Sequence, residues 1–329
     1  MKELIKKLVE TTGPSGYEAI IRNVILEEVK SFGENRIDAL GNLIVLMGNK
    51  GEGKKIMLSA HMDEIGIMAT HIDENGFVRF TKIGGVRPIT SLSAHVKFLD
   101  GTRGVIGEEI QDRSGEAMLL QHMYIDVGAT NRQDCPVKVG DIAVFDRQFM
   151  DLGNRLVAKA MDDRISCAIL IQTLKQLKTS PHQLFFVFSA QEEVGLRGAT
   201  TAAYSIDPDI GLSVDVTDTG DTPKGVRMDV KLGNGPAIKI RDSGMLSDPR
   251  VIEWMINTAK ANNLPYQLEV LEGGTTDASA IQLTRAGVPS GCLSIPTRYL
   301  HTPAEMVDYR DVENSVSLLL ELISGPITI

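Results

Sequence analysis

Apolar positions recur near the start of the chain with the spacing of two amphipathic helices. The pattern predicts one helix from about Lys2 to Thr12, ended by Gly13-Pro14-Ser15-Gly16, and a second from Tyr17 to about Phe32. Two short apolar runs follow, at Asn42–Met47 and Lys54–Ala60, and their length favours strands. Helices followed by buried strands indicate the start of an α/β domain.

The pattern changes to short alternating strands between residues 67 and 155. Turn signals at Glu74-Asn75-Gly76 and at Asp100-Gly101 each lie between two such strands, which predicts two hairpins. We therefore expect a small all-β insertion at 67–155, within an α/β domain built from residues 1–66 and 156–329.

The α/β pattern returns after the predicted insertion. Continuous apolar runs of strand length indicate strands that are covered on both faces, and longer amphipathic stretches indicate helices. The predicted strands are Gln183–Ser189, Ile210–Val216 and Ser290–Ile295, and the predicted helices are Asp162–Leu177, Pro249–Asn262 and Asp311–Ile323.

Composition narrows the class of protein without naming its chemistry. The 329 residues are 43% hydrophobic and 23% charged, which suits a globular protein with a large core. The net charge of −9 argues against nucleic-acid and membrane partners, since both need a basic surface. Three widely spaced cysteines, with no C-x-x-C pair, indicate a reducing compartment, and the chain shows neither a secretory signal nor a membrane span. We expect a cytoplasmic protein.

Histidines and carboxylates follow the predicted buried strands. Strands of an open α/β sheet bring their carboxyl ends to one edge, where such folds bind ligands. The candidates are His61 with Asp63, the pair Glu192-Glu193, Asp215 and His301, and Asp162 opens a helix.

This set of nitrogen and oxygen donors suits Zn²⁺ or Co²⁺. Two histidines and three carboxylates are too many ligands for one catalytic ion, but they suit two ions that share a carboxylate. One glutamate of the Glu192-Glu193 pair is then free to act as a general base. Asp63, two residues after His61, is placed to accept a hydrogen bond from the second nitrogen of that imidazole.

Six segments of the chain closely resemble the M42 family of di-metal aminopeptidases, which includes glutamyl, deblocking and tetrahedral self-compartmentalising enzymes. The resemblance implies a three-layer α/β/α catalytic domain with a mixed, mostly parallel sheet, interrupted by a PDZ-like or β-barrel domain used in oligomerisation. The segments are SAHMDEIG (59–66), AKAMDDR (158–164), SAQEEVGLRGA (189–199), SVDVTDTGDTP (213–223), GGTTDASA (273–280) and SIPTRYLHTPAEMV (294–307).

The resemblance also implies a role for each candidate. Asp162 would bridge the two ions, with His61 and Asp215 completing one site and Glu193 and His301 the other. Glu192 would be the general base and Asp63 the partner of His61, while Asp163 would lie outside the ligand set. In the implied mechanism a hydroxide between the metals attacks the peptide carbonyl, and the enzyme releases N-terminal residues from short peptides. The resemblance further implies dimers that assemble into a tetrahedral dodecamer.

Several alternatives remain open at this stage. Some relatives carry endoglucanase names, so another hydrolase substrate is one alternative, and a non-catalytic scaffold that binds peptides or metal is another. The preferred N-terminal residue and the native metal are not predicted. Arg298 is as well explained by a salt bridge as by recognition of acidic side chains, and Thr275 and Ser279 leave the shape of the substrate pocket open.

Overall fold

Two helices and three strands open the chain in the computed structural model, which describes residues 1–48, 53–109, 118–327 and 329. Helical spacing puts Ile5, Leu8 and Val9 on one face of the first helix, and all three are buried. The elements are α1 (Lys2–Glu10), α2 (Ala19–Val29), β1 (Glu34–Ile37), β2 (Leu43–Gly48) and β3 (Lys55–His61). The predicted elements of this region are therefore confirmed.

A closed antiparallel β-barrel follows β3. Its strands are β4 (Gly66–Ile72), β5 (Val78–Ile83), β6 (His95–Phe98), β7 (Arg103–Glu108), β8 (Met123–Asp126) and β9 (Ile142–Phe145), and α3 (Pro88–Ser91) lies between β5 and β6. The barrel runs in the order β4-β5-β8-β7-β6-β9, and β4–β5 and β6–β7 are the two predicted hairpins. The all-β insertion is thus a barrel, whereas its limits at 67 and 155 stay predictions.

The remaining elements complete the sheet and its helices. The strands are β10 (Met150–Asp151), β11 (Arg155–Ala158), β12 (Gln183–Ser189), β13 (Ile210–Thr217), β14 (Ala237–Arg241), β15 (Gln267–Val270), β16 (Ser290–Arg298) and β17 (Glu305–Asp308). The helices are α4 (Met161–Gln176), α5 (Arg197–Ile206), α6 (Pro249–Ala261), α7 (Asp277–Gln282) and α8 (Tyr309–Ser324). Among the residues described, none of these helices has the length and apolarity needed to cross a lipid bilayer.

The sheet has a parallel centre that is flanked by antiparallel strands. Strands β12, β3, β13 and β16 lie side by side and run in the same direction, and β2 and β17 flank them in antiparallel orientation. The parallel pairs place Ser189 opposite His61 and Asp215 opposite Ser294. The carboxyl ends of all four central strands therefore share one edge.

Helices cover both faces of this sheet. Side chains alternate between the faces along each strand, so Val45 and Leu58 join the core with α1, α2, α4 and α8. Ile44 and Met57 point the other way and pack against α5 and α7. This confirms the expected mixed α/β fold, with its mostly parallel sheet between two helical layers.

Candidate metal centre

The parallel strands bring the predicted ligands to a single edge of the sheet. His61 is the last residue of β3, Asp215 lies near the end of β13, and Glu193 follows β12 by four residues. His301 lies in the loop from β16 to β17, and Asp162 lies in the first turn of α4, next to β11. Residues that are more than 200 positions apart in the chain are neighbours here because the strands end together.

These side chains form two clusters that share one carboxylate. Ligand atoms of His61, Asp162 and Asp215 all lie within 4.8 Å of one another, and the same holds for Asp162, Glu193 and His301. Asp162 Oδ1 is 3.0 Å from Nε2 of His61, and Asp162 Oδ2 is 3.2 Å from Nε2 of His301. One oxygen of Asp162 thus faces each cluster.

The donor set and its charges fit divalent cations. Burial raises the pKa of Asp215 to about 8, and the charge of Asp162 contributes to that rise. Burial and Asp162 also raise the pKa of Glu193, whose buried Oε1 accepts no well-formed hydrogen bond from the described residues. A nearby positive charge would keep these buried carboxylates ionised. Imidazole and carboxylate groups are ligands that suit ions such as Zn²⁺ or Co²⁺.

Asp63 holds the backbone of the Glu192-Glu193 pair. Its two carboxylate oxygens accept the N–H groups of Glu192 at 3.0 Å and Glu193 at 3.1 Å, and Oδ2 also accepts the hydroxyl of Ser15 at 2.6 Å. Nδ1 of His61 is 3.2 Å from the carbonyl oxygen of Asp63 and 3.5 Å from its Oδ1. Asp63 therefore contacts the histidine through its backbone as well as its side chain.

Glu192 lies beside the two clusters without belonging to either. Its Oε2 is 3.9 Å from Nε2 of His61, and its side chain is 11% exposed. Burial raises the pKa of Glu192 well above its ordinary value, and the carboxylates of Asp215 and Glu193 add to the rise. The side chain also lines a cavity of about 640 Å³ that opens onto the clusters.

A loop of the β-barrel lies beside the predicted ligands, and its Arg87 lines this cavity. A Cβ atom added to Gly85 would lie 2.1 Å from Nδ1 of His301, and one added to Gly84 would lie 2.8 Å from Oε2 of Glu193. Only glycine allows the backbone to approach the two side chains so closely. The predicted insertion therefore contributes a wall of the site, which the sequence did not indicate.

The structure shows the contacts of Arg298, Thr275 and Ser279, whose roles the sequence left open. Arg298 forms a bidentate salt bridge with Asp221, with Nε 2.8 Å from Oδ1 and Nη2 2.7 Å from Oδ2. Thr275 lines the cavity and donates its hydroxyl to Ser279 at 3.0 Å. Arg298 is thus engaged in a salt bridge, and the Thr275–Ser279 contact shapes one wall of the cavity.

Three further buried carboxylates support the ligand-bearing segments. Asp163 Oδ2 accepts the backbone N–H of His61 at 3.2 Å. Asp277 accepts the hydroxyls of two serines that precede predicted ligands, Ser59 on β3 at 2.5 Å and Ser189 on β12 at 2.6 Å. Glu305, on β17, accepts backbone N–H groups from two predicted ligands, Asp162 and His301. Asp163 was assigned a position outside the ligand set, but Asp277 and Glu305 were not singled out, since a single acid in a polar motif is usually solvated.

Known proteins resemble this chain over almost its whole length. The family model for M42 glutamyl aminopeptidase matches residues 41–318. The lysyl aminopeptidase of Pyrococcus furiosus is 36% identical, over 98% of this chain and 96% of the relative. Aminopeptidase APDkam598 from the archaeon Desulfurococcus kamchatkensis has a solved structure that is 42% identical, with a TM-score of 0.94 over 98% of this chain and 94% of that one.

A third relative forms large oligomers. The TET1 peptidase of Pyrococcus horikoshii is 33% identical, with a TM-score of 0.89 over 98% of both chains, and it can assemble into a tetrahedron or a large octahedral shell. The TET1 protein has also been solved as a dodecamer. With both the family model and these relatives matching nearly end to end, the chain belongs to the M42 peptidase family and is an aminopeptidase, an enzyme that hydrolyses peptide bonds.

Proposed function

We propose that this aminopeptidase uses two divalent cations, Zn²⁺ or Co²⁺, to release N-terminal residues from short peptides. His61 and Asp215 would hold one cation, Glu193 and His301 the other, and Asp162 both. The observation that carries the proposal is the position of Asp162, whose two oxygens lie 3.0 Å and 3.2 Å from histidines of different clusters. A shared carboxylate of this kind is a feature of two-metal hydrolytic sites.

Within that site Glu192 moves the proton. When bound, the cations supply positive charge that polarises the peptide carbonyl, lowers the pKa of a water molecule and attracts the α-amine of the substrate. Glu192 accepts a proton as the water oxygen attacks the carbonyl carbon. The C–N bond then breaks, and Glu192 donates the proton to the departing nitrogen. Asp63 keeps Glu192 in place through the backbone N–H that it accepts at 3.0 Å.

The proposal is tested with amino-acid p-nitroanilides after chelation and after addition of Co²⁺ or Zn²⁺. We expect Glu192→Gln to lower kcat by about 10²- to 10⁴-fold, because the amide cannot accept the proton, while both cations still bind. Glu253→Gln, on the exposed face of α6, is the matched control and should keep full activity. A wild-type enzyme that binds two cations and cleaves no substrate would contradict the proposal, as would an active Glu192→Gln variant.

The substrate panel has to include acidic, neutral and basic N-terminal residues. The matching family model is described by a glutamyl activity and one relative by a lysyl activity, so the names point to side chains of opposite charge. The panel therefore decides the preference of this enzyme.

A glycoside substrate and a non-catalytic scaffold have less support. Retaining glycosidases place two carboxylates about 5–5.5 Å apart with no role for bound metal. Here each carboxylate cluster includes a histidine. The predicted general base Glu192 is present, which a scaffold would not require.

We further propose that the enzyme is a cytoplasmic homo-oligomer assembled through the β-barrel, in which dimers form a tetrahedral dodecamer. Support comes from the relative that forms such assemblies and from apolar side chains exposed on the insertion, among them Ile89 at 76% and Val139 at 62%. The three cysteines are free, as expected in a reducing compartment.

A further inference from the structure

Glu305 connects two ligand-bearing segments that are 139 positions apart in the chain. Its Oε2 accepts the backbone N–H of Asp162 at 3.0 Å, and its Oε1 accepts the backbone N–H of His301 at 2.9 Å. Glu305 is only 2% exposed, so solvent does not compete with its carboxylate for these two N–H donors. One carboxylate therefore sets the spacing between the shared ligand and a histidine of the second cluster.

The backbone at both contacts departs from regular structure. His301 has a φ of +57°, in the left-handed region that is unfavourable for residues other than glycine. Asp162 has φ −74° and ψ 104°, which are not helical although it lies in the first turn of α4. The left-handed conformation of His301 persists only where the surroundings hold it in place. Glu305 supplies a hydrogen bond to each of these two residues.

Glu305 is itself fixed by the sheet. It is the first residue of β17 and pairs with Ala158 of β11, four residues before Asp162. Glu305 is not one of the described residues that line the active-site cavity, so its side chain does not contact substrate. Its contribution to the reaction would pass through the two ligands.

We propose that Glu305 is a positioning residue that holds Asp162 and His301 at the separation needed to bind the cations. The inference rests on the proposed function, in which these two residues are metal ligands. A carboxylate is required because both of its oxygens accept hydrogen bonds. A glutamine of the same shape has a single acceptor oxygen, and its NH₂ group would face one of the two N–H donors.

The test compares Co²⁺ binding by the wild type and the Glu305→Gln variant, both prepared without metal. Calorimetry measures the affinity, and visible absorption reports on the coordination of the bound Co²⁺. We expect the variant to bind Co²⁺ about 10- to 100-fold more weakly at the site that contains His301, with an altered absorption spectrum. Unchanged affinity and spectrum in a folded variant would overturn the inference.

Asp311→Asn is the matched control. Asp311 is a buried carboxylate of α8 that also accepts two backbone N–H groups, from Gly233 and Gly235 at 2.7 Å each, but it does not contact the ligands. We expect this variant to lose stability while its Co²⁺ affinity stays at the wild-type value. A loss of Co²⁺ affinity as large as that of Glu305→Gln would mean that general destabilisation is the cause, and the inference would fail.

A measurement on the wild type covers the case in which Glu305→Gln does not fold. Hydrogen exchange of the metal-free protein should show the amides of Asp162 and His301 protected before any cation binds. Rapid exchange of both amides would contradict the inference. Failure of the proposed function gives a different result, because a wild type that binds no Co²⁺, or that binds it equally well after His301→Ala, lacks the metal centre itself.

Discussion

At the scale of single residues, the carboxylates of this site differ in what their oxygens contact. Asp162 directs its two oxygens at histidine nitrogens, whereas Asp63 and Glu305 direct theirs at backbone N–H groups. A carboxylate that accepts two backbone hydrogen bonds is held in one orientation and fixes the position of the two donors. The contacts of their oxygens thus distinguish Asp162, a proposed ligand, from Asp63 and Glu305, which bind the backbone.

The shared position of Asp162 leads to a prediction about the number of cations. We expect Asp162→Ala to weaken Co²⁺ binding at both sites by more than about 100-fold, because it removes a ligand from each cluster. Asp215→Ala should weaken only the site that contains His61. Calorimetric titration of both variants gives the number of bound ions, and full occupancy of one site in Asp162→Ala would show that this carboxylate is not shared.

The salt bridge between Arg298 and Asp221 predicts a dependence of stability on acid pH. Burial by itself would raise the pKa of Asp221, but the hydrogen bonds from Arg298, together with the backbone N–H of Leu232, lower it from 3.8 to about 2. The stabilisation is therefore complete above about pH 4 and is lost as the pH falls from about 4 through 2. Because solvent screens this pair, we expect Arg298→Gln to lower the free energy of unfolding by about 1 kcal/mol at neutral pH, and to match the wild type below about pH 2.

Urea denaturation at several pH values measures this difference. Activity on substrates with acidic N-terminal residues should fall no more than activity on other substrates. A selective loss on acidic substrates, at unchanged stability, would instead identify Arg298 as their receptor.

At the scale of secondary structure elements, the site depends on loops that follow strands. The predicted ligands sit at strand ends, while the loop after β5 reaches in from the barrel and contacts His301 and Glu193 through two glycines. Gly85 leaves space for the imidazole because it has no side chain. The barrel and the catalytic sheet are thus in contact at two of the predicted metal ligands.

We expect Gly85→Ala to displace the His301 imidazole, since the added Cβ would lie 2.1 Å from Nδ1. A ligand misplaced by about 1 Å is expected to lower kcat/KM by up to about 100-fold. Gly325→Ala is the control, because Gly325 has a φ of −109° and no atom within 4 Å of the added Cβ. Equal kcat/KM values for both variants would show that the barrel loop does not constrain the ligand.

At the scale of the whole molecule, the proposed assembly makes a prediction about particle mass. Light scattering should give a mass twelve times that of the chain, as for a dodecamer. Ile89→Asp, which puts a charge at a side chain 76% exposed on the insertion, should reduce this mass. Asn75→Asp adds the same charge at an exposed polar position in a hairpin turn and should leave the mass unchanged. A monomeric wild type would contradict the assembly.

Residue types and local spacing were enough to predict the fold class, most of the elements and the candidate ligands. Apolar periodicity depends only on neighbours in the chain, so α1, the barrel hairpins and β12 could be read from it. The rule that parallel strands end at one edge then predicted which side chains would meet. That His61, Asp162 and His301 lie within hydrogen-bonding distance is consistent with this reasoning.

Tertiary structure alone decided which partner each polar atom has. Glu305 could not be distinguished from a solvated acid by its sequence neighbours, because its two donors come from residues 162 and 301. The close approach of Gly85 to His301 and the pairing of Arg298 with Asp221 have the same origin. Such contacts arise from the packing of distant segments, where a shift of one ångström replaces one hydrogen-bond partner with another, and no local pattern in the chain specifies them.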